Sequence, residues 1–293
     1  MSLWSARMSD AISYRPMEEA DLVTVHHANM RAFVDLDRRL GHEYAGPMPD
    51  LGSALIRLRR LLASDPGGAW VAERGGDIAG AALALLREGM WGLSLLFVDP
   101  PAQGRGVGRE LLARARAYGD GVRGFAILSS SDPWAMRAYA RLGLAMHPSV
   151  SAQGAPRVAD PPSAVRDGGP EDLPLTVEVD RAVRGAAHGD DVLVMLEAGN
   201  RLLVAPGRGY AILRGNEVRL VAAFDDAGAR LVLRGALARL GDGAFVQWIT
   251  ASQQWALHEC LDAGLVLNTG AGGVFLGGDV GPFRPYLPTG SYL

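Results

Sequence analysis

Val98-Asp-Pro-Pro-Ala-Gln-Gly-Arg-Gly-Val-Gly-Arg-Glu110 is the stretch on which the fold turns. It follows an apolar run, Met90 to Val98, that reads as a strand, and it opens a segment from about Val107 to Tyr118 that reads as an amphipathic helix. Glycines at 104, 106 and 108 let the main chain approach a ligand closely. The N–H groups at the start of the helix, with the positive end of its dipole, then form an anion site suited to a diphosphate. Two familiar diphosphate loops are excluded. A Walker loop ends in Gly-Lys-Ser/Thr, and all 29 basic residues of the Lys+Arg total are arginine. A dinucleotide fingerprint needs its third glycine where Arg109 stands. Taken alone, the motif also suits a glycine-rich turn that binds nothing.

Working outward, Ala11 to Arg15 reads as a short strand and Met17 to Met30 as a helix. Asp50 is placed to cap a second helix whose Leu51, Ala54, Leu55, Leu58, Leu61 and Leu62 recur at helical spacing. Ala69 to Arg74, the turn signal Gly75-Gly-Asp77 and the run from Ile78 to Arg87 read as a hairpin. After the central motif come a strand at Phe125 to Leu128 and a helix from Asp132 to Leu142. The expected order is β-α-α-β-β-β-α-β-α, a mixed α/β layout.

In that setting Gln103-Gly-Arg-Gly-Val-Gly108 resembles the Gln/Arg-x-x-Gly-x-Gly/Ala signature of the GNAT superfamily of N-acetyltransferases, on the matching strand and helix. Asp132-Pro-Trp-Ala135-Met-Arg-Ala-Tyr139-Ala-Arg-Leu-Gly143-Leu144 is similar to the family's later Asn-x-x-Ala-x-x-x-Tyr-x-x-x-Gly-Phe motif, with Asp132 and Leu144 departing from the usual Asn and Phe. The resemblance covers about residues 10 to 147 and implies acetyl-CoA as co-substrate, with no metal. It implies that Leu96, Phe97 and Val98 contact the pantetheine arm between splayed strands. Gln103, Gly104, Arg105, Gly106, Val107, Gly108 and Arg109 would hold the pyrophosphate, with further CoA contacts from Asp132 and Ala135. A main-chain N–H near Val98 would steady the oxyanion, and Tyr139 would protonate the departing thiolate. The tyrosine also suits plain packing on a helix face. For the base that accepts the amine proton, Glu88, Glu73, Glu43, His42, His26 and His27 all stay open, since the strand Leu93 to Val98 carries no carboxylate.

The chain has 293 residues, enough for two domains. Ser149 to Ser163 is small, polar and proline-rich and reads as a linker, dividing residues 1–148 from 164–293. The same order of elements recurs after it. Arg15 and Asp21-Leu22 match Arg166 and Asp172-Leu173, and Trp134 with Gly143-Leu144 matches Trp255 with Gly264-Leu265. The expected architecture is therefore α/β (α+β): two tandem GNAT-like domains, each a mixed, mostly antiparallel sheet flanked by helices. In the second copy the phosphate loop is replaced by Phe224-Asp-Asp226, where like charge opposes a diphosphate, and Cys260 stands at the tyrosine position. That copy reads as degenerate, shaping or covering the acceptor pocket and offering a homo-oligomer interface.

A formal charge of −3 gives no basic surplus for nucleic acid or an acidic membrane surface. One cysteine excludes an internal disulfide and a cysteine-rich zinc site. No signal peptide or membrane span is evident, so a cytoplasmic protein is expected, and the arginine, alanine and glycine bias suggests a GC-rich bacterial genome. The aromatic, proline-rich end from Gly281 to Leu293 should dock, either toward the first site with Tyr292 at the acceptor pocket or on its own domain. The acceptor class is a small-molecule amine or a peptide N-terminus. The rival reading is a non-catalytic acyl-CoA-binding sensor.

Overall fold

The computed structural model describes residues 11–41 and 50–293, so His42 and Glu43 lie outside the described residues. Contacts divide the chain into two compact units, and the division falls at 122/123 rather than at the proline-rich stretch.

Among the described residues, the first unit comprises 11–41, 50–86 and 91–122. It holds β1 (Ile12–Pro16), α1 (Leu22–Leu40), α2 (Leu51–Ser64), β2 (Ala69–Arg74), most of β3 (Asp77–Arg87) and β4 (Met90–Val98), and α3 (Val107–Ala117). The strands lie side by side in chain order, with β1–β2 and β2–β3 antiparallel. Gly75 and Gly76 both have positive φ, 61° and 92°, as the hairpin turn between β2 and β3 requires. Asp50 caps α2 as its sequence predicts, accepting from the Ser53 main-chain N at 2.9 Å. Burial runs without alternation from Ile78 to Leu85, so β3 is covered on both faces. Trp91 is fully buried and donates from Nε1 to the Ala115 carbonyl at 3.0 Å, fixing α3 across β4.

The second unit contains residues 123–293 together with residues 87–90. From the first half of the chain it takes β5 (Gly124–Ser129), α4 (Pro133–Ala140) and β6 (Ala145–Gly154). The second half adds β7 (Arg166–Asp167), α5 (Leu173–Arg184), α6 (Asp190–Glu197), β8 (Arg201–Ala205), β9 (Gly209–Arg214), β10 (Glu217–Ala223) and α7 (Asp226–Leu237). It ends with β11 (Ala244–Thr250), α8 (Gln254–Asp262), β12 (Val266–Asn268), β13 (Gly273–Gly278) and β14 (Tyr286–Leu287). The second half thus repeats the element order of the first. Its β10–β11 pairing is parallel and its remaining pairings are antiparallel, a mixed, mostly antiparallel sheet. Trp255, Cys260, Val232 and Leu233 lie in the core beneath it.

One expectation needs correction. Residues 149–154 are not linker but the second part of β6, and only the stretch after them is irregular. Ser149 and Ser151 are buried because this part of β6 is paired on both sides, with β11 and β12. Small residues fit that position between two strands, but they carry no strand signal in the sequence.

The sheet order explains why the chain continues straight through. Residues 145–148 pair with β13, whose other edge pairs with β5 along its whole length. A strand segment of each copy therefore lies among the other copy's strands: residues 149–154 between β11 and β12, and β13 between β5 and residues 145–148. A boundary at 148 would part β5 from β13, with which it pairs along all six residues of β13.

The matched Arg–Asp pairs form the same contact twice. Arg15 reaches Asp21 through both terminal nitrogens, at 2.7 and 2.8 Å, and Arg166 reaches Asp172 likewise, at 2.8 Å each. Each aspartate also accepts from a main-chain N three residues earlier, Glu18 or Gly169. The Arg15 hydrogen bonds hold the Asp21 carboxyl below its ordinary value, against the opposing effect of burial. Its contribution is therefore present above the ordinary aspartate pKa of about 3.9 and is lost as pH falls through the lower folded value. Wild type and Asp21→Asn should differ in Tm at neutral pH and converge in acid. A constant difference down to acid unfolding would show that the carboxylate charge plays no part.

Candidate active site

The residues expected to hold the pyrophosphate, Gln103 to Arg109, belong to the first unit. β4 ends at Val98, and Asp99 donates its main-chain N–H to the Ala79 carbonyl at 2.9 Å, so the chain leaves the sheet at a fixed point. Gln103 turns back and donates from Nε2 to the Val98 carbonyl at 3.1 Å, tying the loop to the strand end. Gly104 and Gly106 have φ of 74° and 82°, a conformation that costs an L side chain but not glycine. A Cβ at Gly104 would meet nothing within 4 Å, and one at Gly106 only the Arg109 guanidinium at 3.7 Å, so open space borders the loop. Gly106 is the N-cap of α3 and offers no side-chain cap. The first N–H groups of the helix are thereby left to an external acceptor. Gly108 faces the other way, where a Cβ would approach Val98 Cγ2 at 3.2 Å, so its smallness serves the close packing of helix on strand.

Along β4 the side chains alternate. Phe97 is buried, whereas Leu96 and Val98 are half-buried. On the Ser94–Leu96 face, Arg57 of α2 donates to Ser94 Oγ at 2.9 Å.

Asp132, Ala135 and Tyr139 belong to the second unit, on and before α4. Asp132 is the N-cap and accepts from the Trp134 main-chain N at 2.9 Å, a role open to aspartate as well as asparagine. Tyr139 is 5% exposed and meets Phe275 of β13 edge-on, with ring centroids 5.5 Å apart. Burial, and then the charge of Asp132, push its phenol well above the ordinary tyrosine value. Tyr139 therefore keeps its proton at neutral pH, as a proton donor must.

The structure separates the candidate bases. Glu88 is bound by Arg181, at 2.5 Å, and by the Ala187 main-chain N, at 3.1 Å, and the Arg181 hydrogen bond holds its pKa low. Glu73 completes the Arg15 network at 2.6 Å. These two are structural carboxylates. His27 is exposed. His26 is 8% exposed on α1, and burial, with the charges of His27 and Arg57, lowers its pKa, which leaves a neutral imidazole.

Cys260 is fully buried, and desolvation, with the charge of Glu259, pushes its thiol up to about 12. It should react with a thiol reagent only after denaturation, because the nucleophile is the thiolate. Stoichiometric labelling of the native protein would contradict this.

The tail docks on the second half. Tyr286, Leu287, Tyr292 and Leu293 are all buried, and β14 pairs with β10.

Residues 31–144 match the family model described as "Acetyltransferase (GNAT) family". No curated protein matches the chain. Among solved structures, a presumed acetyltransferase from Pyrococcus horikoshii is 16% identical, with a TM-score of 0.77 over 96% of this chain and 95% of that one. A GCN5-related N-acetyltransferase from Sphaerobacter thermophilus is also 16% identical, with a TM-score of 0.58 over 96% and 98%. At such identities these likenesses bear on fold, and they extend along the full length, in keeping with two repeated GNAT-like layouts. Within residues 31–144, then, the glycine loop, the later motif and the family model point the same way: this stretch matches the GNAT acetyltransferase family.

Proposed function

We propose that the protein is an acetyl-CoA-dependent N-acetyltransferase of the cytoplasm whose first half, residues 1–148, carries the chemistry. The observation that carries this reading is the uncapped N-terminus of α3, reached through Gly104 and Gly106 at positive φ with open space beside them. Gln103 to Arg109 would hold the pyrophosphate of acetyl-CoA and Leu96 to Val98 its pantetheine arm, with further CoA contacts from Asp132 and Ala135.

The amine, as free base, attacks the thioester carbonyl carbon. An N–C bond forms, the C–S bond breaks, and the nitrogen gives up a proton. A main-chain N–H near Val98 donates to the oxyanion formed on the way, and Tyr139 donates its phenolic proton to the leaving sulfur. Of the candidate bases placed here, His26 is neutral and outside any ion pair. The acceptor is a small-molecule amine or a peptide N-terminus.

A second reading, an acyl-CoA-binding sensor without turnover, draws support from the engagement of Glu73 and Glu88 in ion pairs. A panel of amines assayed for free CoA separates the two. Amine-dependent release with an acetylated product by mass spectrometry supports the enzyme, and tight binding without release supports the sensor.

A further inference from the structure

The second half repeats the elements proposed to frame the cofactor in the first, and the chain's own C-terminal segment lies against them. β10 and β11 run parallel and pair only at Glu217–Phe245 and Val218–Val246. Beyond that point β14 lies against β10 instead, with Leu287 opposite Val221 and Tyr286 opposite Ala222. The gap between the two parallel strands is thus filled by a peptide strand.

At the start of α7, the counterpart of α3, the N-cap is Asp225 in place of Gly106. Its carboxylate accepts from the Gly228 main-chain N at 2.6 Å, taking up a donor that an anion would otherwise use. The neighbouring Asp226 lies 3.4 Å from Arg284 of the tail. The charges are reversed relative to an anion on a helix N-terminus, with an acidic frame and a cationic occupant.

Gln253 stands 121 positions after Asp132, in the same register as Trp255 after Trp134. It is buried and brackets the tail, donating from Nε2 to the Phe283 carbonyl at 2.8 Å and accepting from the Tyr286 main-chain N at 3.2 Å. The far end of the tail is held as well. Leu293 is fully buried, its carbonyl oxygen 2.7 Å from His188 Nε2. His188 Nδ1 lies 2.8 Å from Asp180, which also accepts from Tyr210 OH at 2.5 Å.

We infer that the segment from Pro282 to Leu293 is an intramolecular stand-in for a cofactor arm. It occupies the second cleft from the helix N-terminus, through Arg284, to the Asp180–His188–Tyr210 cluster, through Leu293. The cleft is a peptide-binding site whose ligand is this segment, and it takes no acetyl-CoA. The comparison of positions rests on the acyl-CoA reading of the first half, whereas the docking of the segment does not.

Hydrogen exchange without acetyl-CoA tests the docking. In the wild type, β10 and residues 286–293 should both be protected. A chain ending at Gly281 should lose protection in β10, and a synthetic peptide of residues 282–293 added in trans should restore it. Where the shortened chain does not fold, Tyr286→Ser in the full chain provides the same readout, with faster exchange in β10 and in residues 286–293 and an unchanged pattern in α3 and β2. Protection of β10 that persists in the shortened chain or in Tyr286→Ser overturns the inference, as does a folded shortened chain that the peptide fails to protect. Because acetyl-CoA is absent, neither result depends on whether the first half is an acyltransferase.

Discussion

Replacing Gly106 with glutamate is expected to abolish the thermal stabilisation that acetyl-CoA confers on the wild type. Gly106 sits at φ 82°, where an L side chain is strained, and it is the N-cap of a helix with no side-chain cap. A glutamate there adds a carboxylate at the spot proposed for a pyrophosphate, so like charge and volume act together. At 100 times its Kd, a ligand stabilises the state that binds it by about 2.7 kcal/mol, and the variant should forfeit all of it. Gly121→Ala is the control. Gly121 also has positive φ, 79°, with open space around it, but it lies in the turn after α3. That variant should lose some stability and keep the full acetyl-CoA shift. If both variants kept the shift, the phosphate loop would lie elsewhere.

Tyr139→Phe is expected to lower kcat by roughly 10²-fold or more, the lower end of what a positioned proton donor contributes. KM for acetyl-CoA should change little. The fold should survive, because the ring contact with Phe275 needs no hydroxyl. The direction of the tyrosine shift adds a pH signature. With its pKa raised above the ordinary value of about 10, Tyr139 remains protonated throughout the range between pH 7 and 10. The wild-type kcat should therefore show no alkaline loss from this group there. A Phe variant with unchanged kcat would reduce Tyr139 to a packing residue.

Much of this was legible in the sequence, and the reasons are local. The glycine turn before α3 is readable because Gly104 and Gly106 each occupy a backbone conformation that few other residues tolerate. Asp50 and Asp132 announce helix starts because capping depends on one short side chain. The repeat is visible through Arg15–Asp21 and Arg166–Asp172, whose bidentate contact constrains both residues.

What stayed hidden is non-local. Ser149 to Gly154 has Val150 as its one strong β-former among small and polar residues, and the flanking β11 and β12 make it a strand. The exchange of residues 149–154 and β13 leaves no mark on either segment, because each has the composition its place in a sheet requires whichever copy owns that sheet. Trp134 and Trp255 match by position, yet one is 52% exposed and the other 1%. The tail reads as a docking segment from its aromatics, but its partner emerges only with Gln253 and His188 placed against it. Glu73 and Glu88 look like candidate bases until their arginines are seen.

Equilibrium dialysis of the full chain against labelled acetyl-CoA tests the central claim most directly. The account predicts saturable binding at one acetyl-CoA per chain, displaced by free CoA and absent from Gly106→Glu. A folded protein, free of copurified CoA, that shows no saturable binding would contradict it.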